Sequence, residues 1–174
     1  MPLAGLHRGG IAKRKLAELW IVSPVPNILG GIALILIVTS HGALPPGTAK
    51  SLLHIANDFH QRSVASLFLS AIAGGALITL MTWFVEGVGS VGGRIVAAWI
   101  AGALLTLGSF NHVIVVTLEL IFGIRYGAHY DWLYVLQNFV VAAGGNMIGG
   151  LLFVTLTRTG QAVGSGETNQ PTEG

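Results

Sequence analysis

The stretch from Gly92 to Ile124 is almost uninterrupted apolar sequence, yet it is too long for one straight crossing of a bilayer, which takes roughly 20 residues. Its middle reads Gly108-Ser109-Phe110-Asn111-His112: two small residues, an aromatic, an amide and an imidazole between two apolar runs. The pattern predicts two half-helices around a break. Unpaired backbone groups at membrane depth cost several kcal/mol each, so a break of this kind persists only where protein buries it or where it lines a polar cavity. This segment is therefore the expected substrate path.

Composition agrees with a membrane setting. Of 174 residues, 52% are hydrophobic and 9% charged, against about 25% charged in soluble domains. The basic residues fall at span ends rather than along one face, which argues against nucleic acid as a partner. With no cysteine, neither a disulfide frame nor a thiolate metal site is available. The basic, glycine-rich opening lacks the apolar core and cleavage site of a signal peptide, so no processing is expected. Twenty-five glycines point to closely packed helices, because small residues let helix backbones approach in lipid.

Taken in order, residues 1–16 carry Arg8, Lys13, Arg14 and Lys15, the densest basic cluster, and the positive-inside rule puts that end in the cytoplasm. A helical bundle is expected over residues 17–157. Its first span covers about Leu19 to Ser40, with Trp20 at an interface and Pro24 and Pro26 kinking its first half. A polar loop from His41 to Arg62 follows, with a short surface helix over Leu52 to Phe59. The second span covers about Val64 to Phe84. The third is the broken one, about Arg94 to Leu107 and His112 to Ile124, and the fourth runs from about Trp132 to Thr155. Four crossings return the chain to the cytoplasm, where residues 158–174, rich in Gly, Ser, Thr and Glu, form a disordered tail.

Two segments share a spacing. Asn27-Ile28-Leu29-Gly30-Gly31 in the first span and Asn146-Met147-Ile148-Gly149-Gly150 in the last both read Asn-x-x-Gly-Gly, and the two spans would cross in opposite directions. Corresponding helices of an inverted-topology repeat look like this, with the substrate site near the midplane at the repeat interface. Chance in glycine-rich helices accounts for so short a match equally well.

These residues resemble the formate/nitrite transporter family of bacterial inner-membrane anion channels. The family's second half has a broken helix with a Gly-Phe-Glu-His stretch, then a last helix with Gly-Asn-x-x-Gly-Gly. The corresponding runs are Ser109-Phe110-Asn111-His112 and Gly145-Asn146-Met147-Ile148-Gly149-Gly150, and the first span with Asn27 resembles the family's third helix. The resemblance covers about Leu19 to Leu156, the third to sixth helices, so the chain looks N-terminally truncated relative to the family. It implies an aquaporin-like inverted-repeat channel fold and a homopentamer with one pore per subunit. It also implies that His112 is the central pore histidine, acting on a weak-acid anion at midplane, and that Leu105 is an apolar constriction. Asn111 stands where the family has glutamate, and Phe59 where it has an outer lysine that attracts anions, for which His60 or Arg62 would have to substitute.

Each candidate has a plainer reading beside the functional one. An imidazole in an apolar segment is costly and must be paired; His112 either meets the solute or bonds a neighbouring helix. Glu119 lies about two turns beyond His112 on the same helix face, so it either tunes the histidine or is a carboxylate near an interface bonded to another helix; the family has no glutamate there. Asn27 and Asn146 line the path or bond between helices, and their glycines are packing devices. His41, His54, His60 and Asp58 match no metal-ligand spacing. No nucleophile, base and orienter recur at a readable spacing, so no enzyme and no cofactor is expected.

The expectation is thus an all-helical membrane protein with four membrane segments, the third broken, that passes small monovalent anions such as formate or nitrite, with or without proton coupling. The substrate pathway would comprise His112, Asn111, Leu105, Phe110, Asn146, Asn27 and Glu119. A channel for small neutral solutes and a non-conducting membrane subunit are the alternatives.

Overall fold

The computed structural model describes residues 22–40 and 42–166, together with Lys15, Glu18 and Trp20. The expectations for Arg8, Lys13, Arg14, His41 and the last residues of the tail lie outside the described residues. Six helices are bounded: α1 Pro24–Val38, α2 Thr48–Gln61, α3 Val64–Gly87, α4 Val91–Leu107, α5 Val113–Arg125 and α6 Trp132–Gly166, with no strand among the described residues. Two of them, α3 and the Trp132–Thr157 part of α6, are long and apolar enough to cross a membrane.

The spine is the α3–α6 pair, which runs parallel and in close contact. Glycine makes that approach possible. A Cβ on Gly149 would overlap the Ile72 carbonyl, one on Gly145 would sit 2.5 Å from the Ala71 Cβ and 2.8 Å from the Phe68 carbonyl oxygen, and one on Gly75 would overlap the backbone of Asn146. Dispersion between backbones, rather than hydrophobic transfer, supplies the adhesion between helices that lie in lipid. Farther along, the Trp83 and Phe153 rings meet edge to face at 5.9 Å. The expectation that the Asn-x-x-Gly-Gly glycines are packing devices holds for Gly149 and Gly150 of α6, the latter closed by the Thr79 hydroxyl at 2.9 Å.

Antiparallel to α3, the half-helices α4 and α5 make one interrupted traverse. Serine begins both α3 and α4: Ser63 accepts from the Ser66 amide at 3.2 Å and Ser90 from the Gly93 amide at 3.1 Å, each satisfying an otherwise unpaired first-turn N–H. Asp131 does the same for α6, accepting from the Tyr134 amide at 3.0 Å. The break falls beside Gly74, near the middle of α3, where an added Cβ would meet the Phe110 Cβ at 3.4 Å and the Asn111 carbonyl oxygen at 3.5 Å. The expected interruption is therefore present, and at half height.

Pro24 and Pro26 lie in the first turn of α1, where a missing N–H leaves no intrahelical bond unmade; Trp20 and Val22 ahead of them are helical as well. Two differences from the sequence reading have physical causes. The helix expected over Leu52 to Phe59 extends over Thr48–Gln61, and it buries Ala56 and Phe59 against Val116 and Leu120 of α5 instead of lying free on a surface. The last helix runs on to Gly166, although composition predicts a disordered tail from residue 158; no proline falls between Thr157 and Gly166 to break it. Exposed apolar side chains cover α1 and α4, Trp99 being 73% accessible, as befits surfaces that meet lipid or other helices rather than water.

Candidate functional site

The first half-helix ends on a Schellman motif. Phe110 N–H donates to the Leu105 carbonyl at 3.2 Å and Ser109 N–H to the Thr106 carbonyl at 3.0 Å, satisfying carbonyls the helix end leaves open. The left-handed position that closes such a motif belongs to Ser109, at φ +47, not to the glycine beside it. Gly108 is needed for another reason. The Phe110 ring lies over its Cα, and a Cβ there would overlap the ring.

Side chains from α3, α6 and the α2–α3 link then take up the backbone of the break. The Ser70 hydroxyl accepts from Asn111 N–H at 3.0 Å and lies 3.4 Å from the Ser109 carbonyl. Asn146 uses its whole amide: its oxygen accepts from Val113 N–H at 3.0 Å, and its nitrogen donates to the Ala71 carbonyl at 2.7 Å and the Asn111 carbonyl at 2.9 Å. Arg62 reaches from the α2–α3 link, lays its guanidinium 4.3 Å above the Phe59 ring and donates to the Ser109 carbonyl at 2.8 Å. Protein thus buries one side of the break, the first of the two conditions under which a break survives at membrane depth.

Asn111 is fully buried and its side chain faces into this network, donating to the Leu67 carbonyl at 3.2 Å and to Asn138 at 3.0 Å. His112 caps α5 and is engaged weakly, its Nδ1 lying 3.5 Å from the Val115 N–H. Its Nε2 makes no hydrogen bond among the described residues. At the break the imidazole therefore keeps a ring nitrogen to spare.

Four of the expected pathway residues, Phe110, Asn111, His112 and Asn146, therefore meet at the break. Leu105 is buried just before it on α4, and Glu119 lies beyond it on α5, half-buried. Asn27 stands apart on α1, where its amide bonds the Ser23 carbonyl of its own segment at 2.8 Å. The helix packs on α5, Leu118 filling the space beside Gly31. His54 pairs with Asp58 at 3.5 Å on the exposed side of α2, while His60 packs on Tyr134 at 4.5 Å and on Tyr130 at 5.1 Å. No group of three potential metal ligands gathers among the described residues.

Sequence reasoning missed Asn138, Ser70 and Arg62 as partners of the break. A signal existed for Asn138, an amide in the apolar run of α6 that must find a partner there. Arg62 reads in the sequence as a loop charge and a candidate substitute for the family's outer lysine, and only the fold brings it to Ser109.

The family model for formate/nitrite transporters matches residues 1–159. The chain belongs to the formate/nitrite transporter family. A formate channel from Bacillus thuringiensis is 26% identical over 136 residues, 78% of this chain and 52% of that protein. The chain thus spans about half the length of this curated relative. No solved structure gives a significant match. The family and this relative are membrane transport proteins.

Proposed function

We propose that the chain lines a path for a small monovalent anion of formate or nitrite type, with His112 as its central group. One observation carries this reading. At a half-height break where Ser70, Asn111 and Asn146 are engaged within the protein, the His112 imidazole keeps a free nitrogen. A free imidazole titrates at about 6.5, so it is suited to hand a proton to a weak-acid anion or to donate a hydrogen bond to it. As a neutral acid the solute would pass apolar constrictions, such as one formed by Leu105, at much lower desolvation cost than as an ion.

The α5 N-terminus adds the positive end of a helix dipole at the same point, which favours an anion over a neutral solute. Family membership and the name of the formate channel support the same solute class. By the family resemblance the assembly is a homopentamer of inverted-repeat subunits in a bacterial inner membrane. The basic N-terminus supports a cytoplasmic start.

Reconstitution into liposomes tests the proposal. Formate-driven flux is expected to rise when the entry side is acidified and to fall in His112→Asn and His112→Phe. Flux that ignores both acidity and these substitutions would remove the histidine from the mechanism. Swelling in small uncharged solutes, without pH dependence, would replace the anion path by a neutral one.

A further inference from the structure

The connection between α3 and α4 holds a basic side chain that the path does not use. Ser90 caps α4 by accepting from Gly93 N–H at 3.1 Å, and Arg94 N–H donates to the Ser90 carbonyl at 3.1 Å. The turn is tight: a Cβ on Gly93 would overlap the Val88 side chain. Arg94 folds back toward this turn and donates its Nε–H to the Val88 carbonyl at 2.9 Å. Its two Nη groups carry four of the five donors of a guanidinium and make no bond among the described residues. No carboxylate pairs with them there either, and Arg94 is exposed.

The break sets the depth of this group. It lies at half height beside Gly74 of α3, and the hydrocarbon of a bilayer extends about 15 Å to either side of the midplane. Trp83 lies nine residues beyond Gly74, and Trp99 nine residues before Gly108. At about 1.5 Å per helical residue, each is about 14 Å from the break. Both indoles therefore fall at one boundary between hydrocarbon and headgroups, where tryptophan is enriched. Trp83 packs on Phe153, whereas Trp99 faces outward with Ile95, at 73% and 64% exposure. One turn inward, nothing among the described residues lies within 4 Å of a Cβ on Gly102, so a shallow apolar channel continues toward the midplane. Arg94 lies five residues outward of Trp99, about 7 Å on, at the level of lipid phosphates.

We propose that Arg94, Trp99 and the face of α4 between them bind one phospholipid with an anionic headgroup. The phosphodiester takes the free Nη edge of Arg94, a planar fork suited to two phosphate oxygens. The glycerol and the start of an acyl chain lie along Ile95 and Trp99. Because the Val88 carbonyl already holds Nε, the guanidinium is partly ordered before the lipid arrives, which lowers the entropic cost of binding. A net negative headgroup is preferred to a choline one, which brings a cation of its own beside the guanidinium. The site is separate from the break and does not depend on the anion-path reading. It steadies the outer end of α4, a half-helix whose inner end is the break.

The test uses the full chain in mixed micelles and lipids brominated on the acyl chain, which quench the fluorescence of an indole they touch. Brominated phosphatidylglycerol should reach half-maximal quenching at about fivefold lower mole fraction than brominated phosphatidylcholine, the scale of one basic side chain at an anionic surface. Trp99→Phe should remove the selective part of the signal and leave that of the other tryptophans. Arg94→Gln should abolish the preference between the lipids. Arg94→Lys keeps the charge and loses the fork, so it should retain part of the preference; it also serves where Arg94→Gln fails to fold. Inorganic phosphate at millimolar concentration should not relieve the quenching. Equal quenching of the wild type by both lipids, or a preference that survives Arg94→Gln, overturns the inference. Loss of no signal in Trp99→Phe means that protein covers this face, and overturns it as well. Relief by inorganic phosphate would assign the fork to free phosphate and overturn the lipid as its ligand.

Discussion

Asn111 and Asn138 hold each other by their amides, Asn111 donating at 3.0 Å and Asn138 donating back at 3.4 Å, with both side chains closed to solvent. The pair joins the break to α6 at a point where no water can substitute. Polar bonds between helices in lipid average about 0.6 kcal/mol, whereas a buried amide left without its partner costs about 1–3 kcal/mol. Asn111 keeps the Leu67 carbonyl as a second partner, which favours the lower end. Asn138→Leu should therefore destabilise the chain by about 1 kcal/mol, read as denaturant-induced unfolding in detergent. Replacing both amides by leucine should cost less than the sum of the two single changes.

Asn146 should matter more. Its amide serves Val113, Ala71 and Asn111 together, so Asn146→Leu strands the Val113 N–H and the Asn111 carbonyl, whereas the Ala71 carbonyl keeps its place in the α3 ladder. A loss of about 2 kcal/mol or failure to assemble is expected, at roughly 1 kcal/mol for each stranded group. Asn146→Asp keeps the oxygen that accepts from Val113 and loses the two donated bonds, and should fall between. If Asn146 were chiefly a solute contact, the unfolding transition would stay in place while formate affinity alone changed.

The two Asn-x-x-Gly-Gly segments invite a direct comparison by Gly→Ala. On α6, Gly149 faces the Ile72 backbone, and an added Cβ has nowhere to go unless the helices part. On α1, Gly30 has nothing within 4 Å of that position. Gly149→Ala should lower stability by at least about 1–3 kcal/mol, the ordinary cost of overpacking. Gly30→Ala should leave the chain unchanged or raise its stability by up to about 1 kcal/mol through helix propensity. Equal effects at the two positions would mean that the α3–α6 contact is looser than the geometry indicates.

Much of this arrangement is visible in the sequence, and the limit is a physical one. The break can be read because an apolar run that exceeds one crossing must turn somewhere, and Gly108-Ser109 is where it can. Gly149 can be read as a packing residue because close helix approach needs a missing Cβ. The use to which Asn146 is put cannot be read so, because its partners lie on α3 and at the break, far away in the chain. The same applies to Arg62, whose bond to Ser109 spans the length of α3 and α4. Asn27 shows the converse: its motif equals that of Asn146, but its amide closes on Ser23 of its own segment, while α1 meets α5 through Gly31 and Leu118. Motif identity fixes which groups are available, and the packing partner decides what they do.

Ser109 and Gly108 offer the most specific test of the break itself. A left-handed backbone costs a residue with a Cβ about 1–2 kcal/mol, and Ser109 carries that cost at φ +47. Ser109→Gly relieves it while raising the entropy of the unfolded chain, a loss of about 0.5–1 kcal/mol, so the net effect should be neutral to about 1 kcal/mol stabilising. The bonds that Arg62 and Ser70 make to this residue go to its carbonyl and survive the change. Ser109→Val puts a β-branched side chain at a positive φ and should destabilise strongly. Gly108→Ala should also destabilise, although its φ of −77 is ordinary for alanine, because the new methyl meets the Phe110 ring. Thermal midpoints of the three variants would decide the matter: an order of Ser109→Gly above wild type or level with it, and the other two below, follows only if the chain leaves α4 through Ser109 with Phe110 folded back over Gly108.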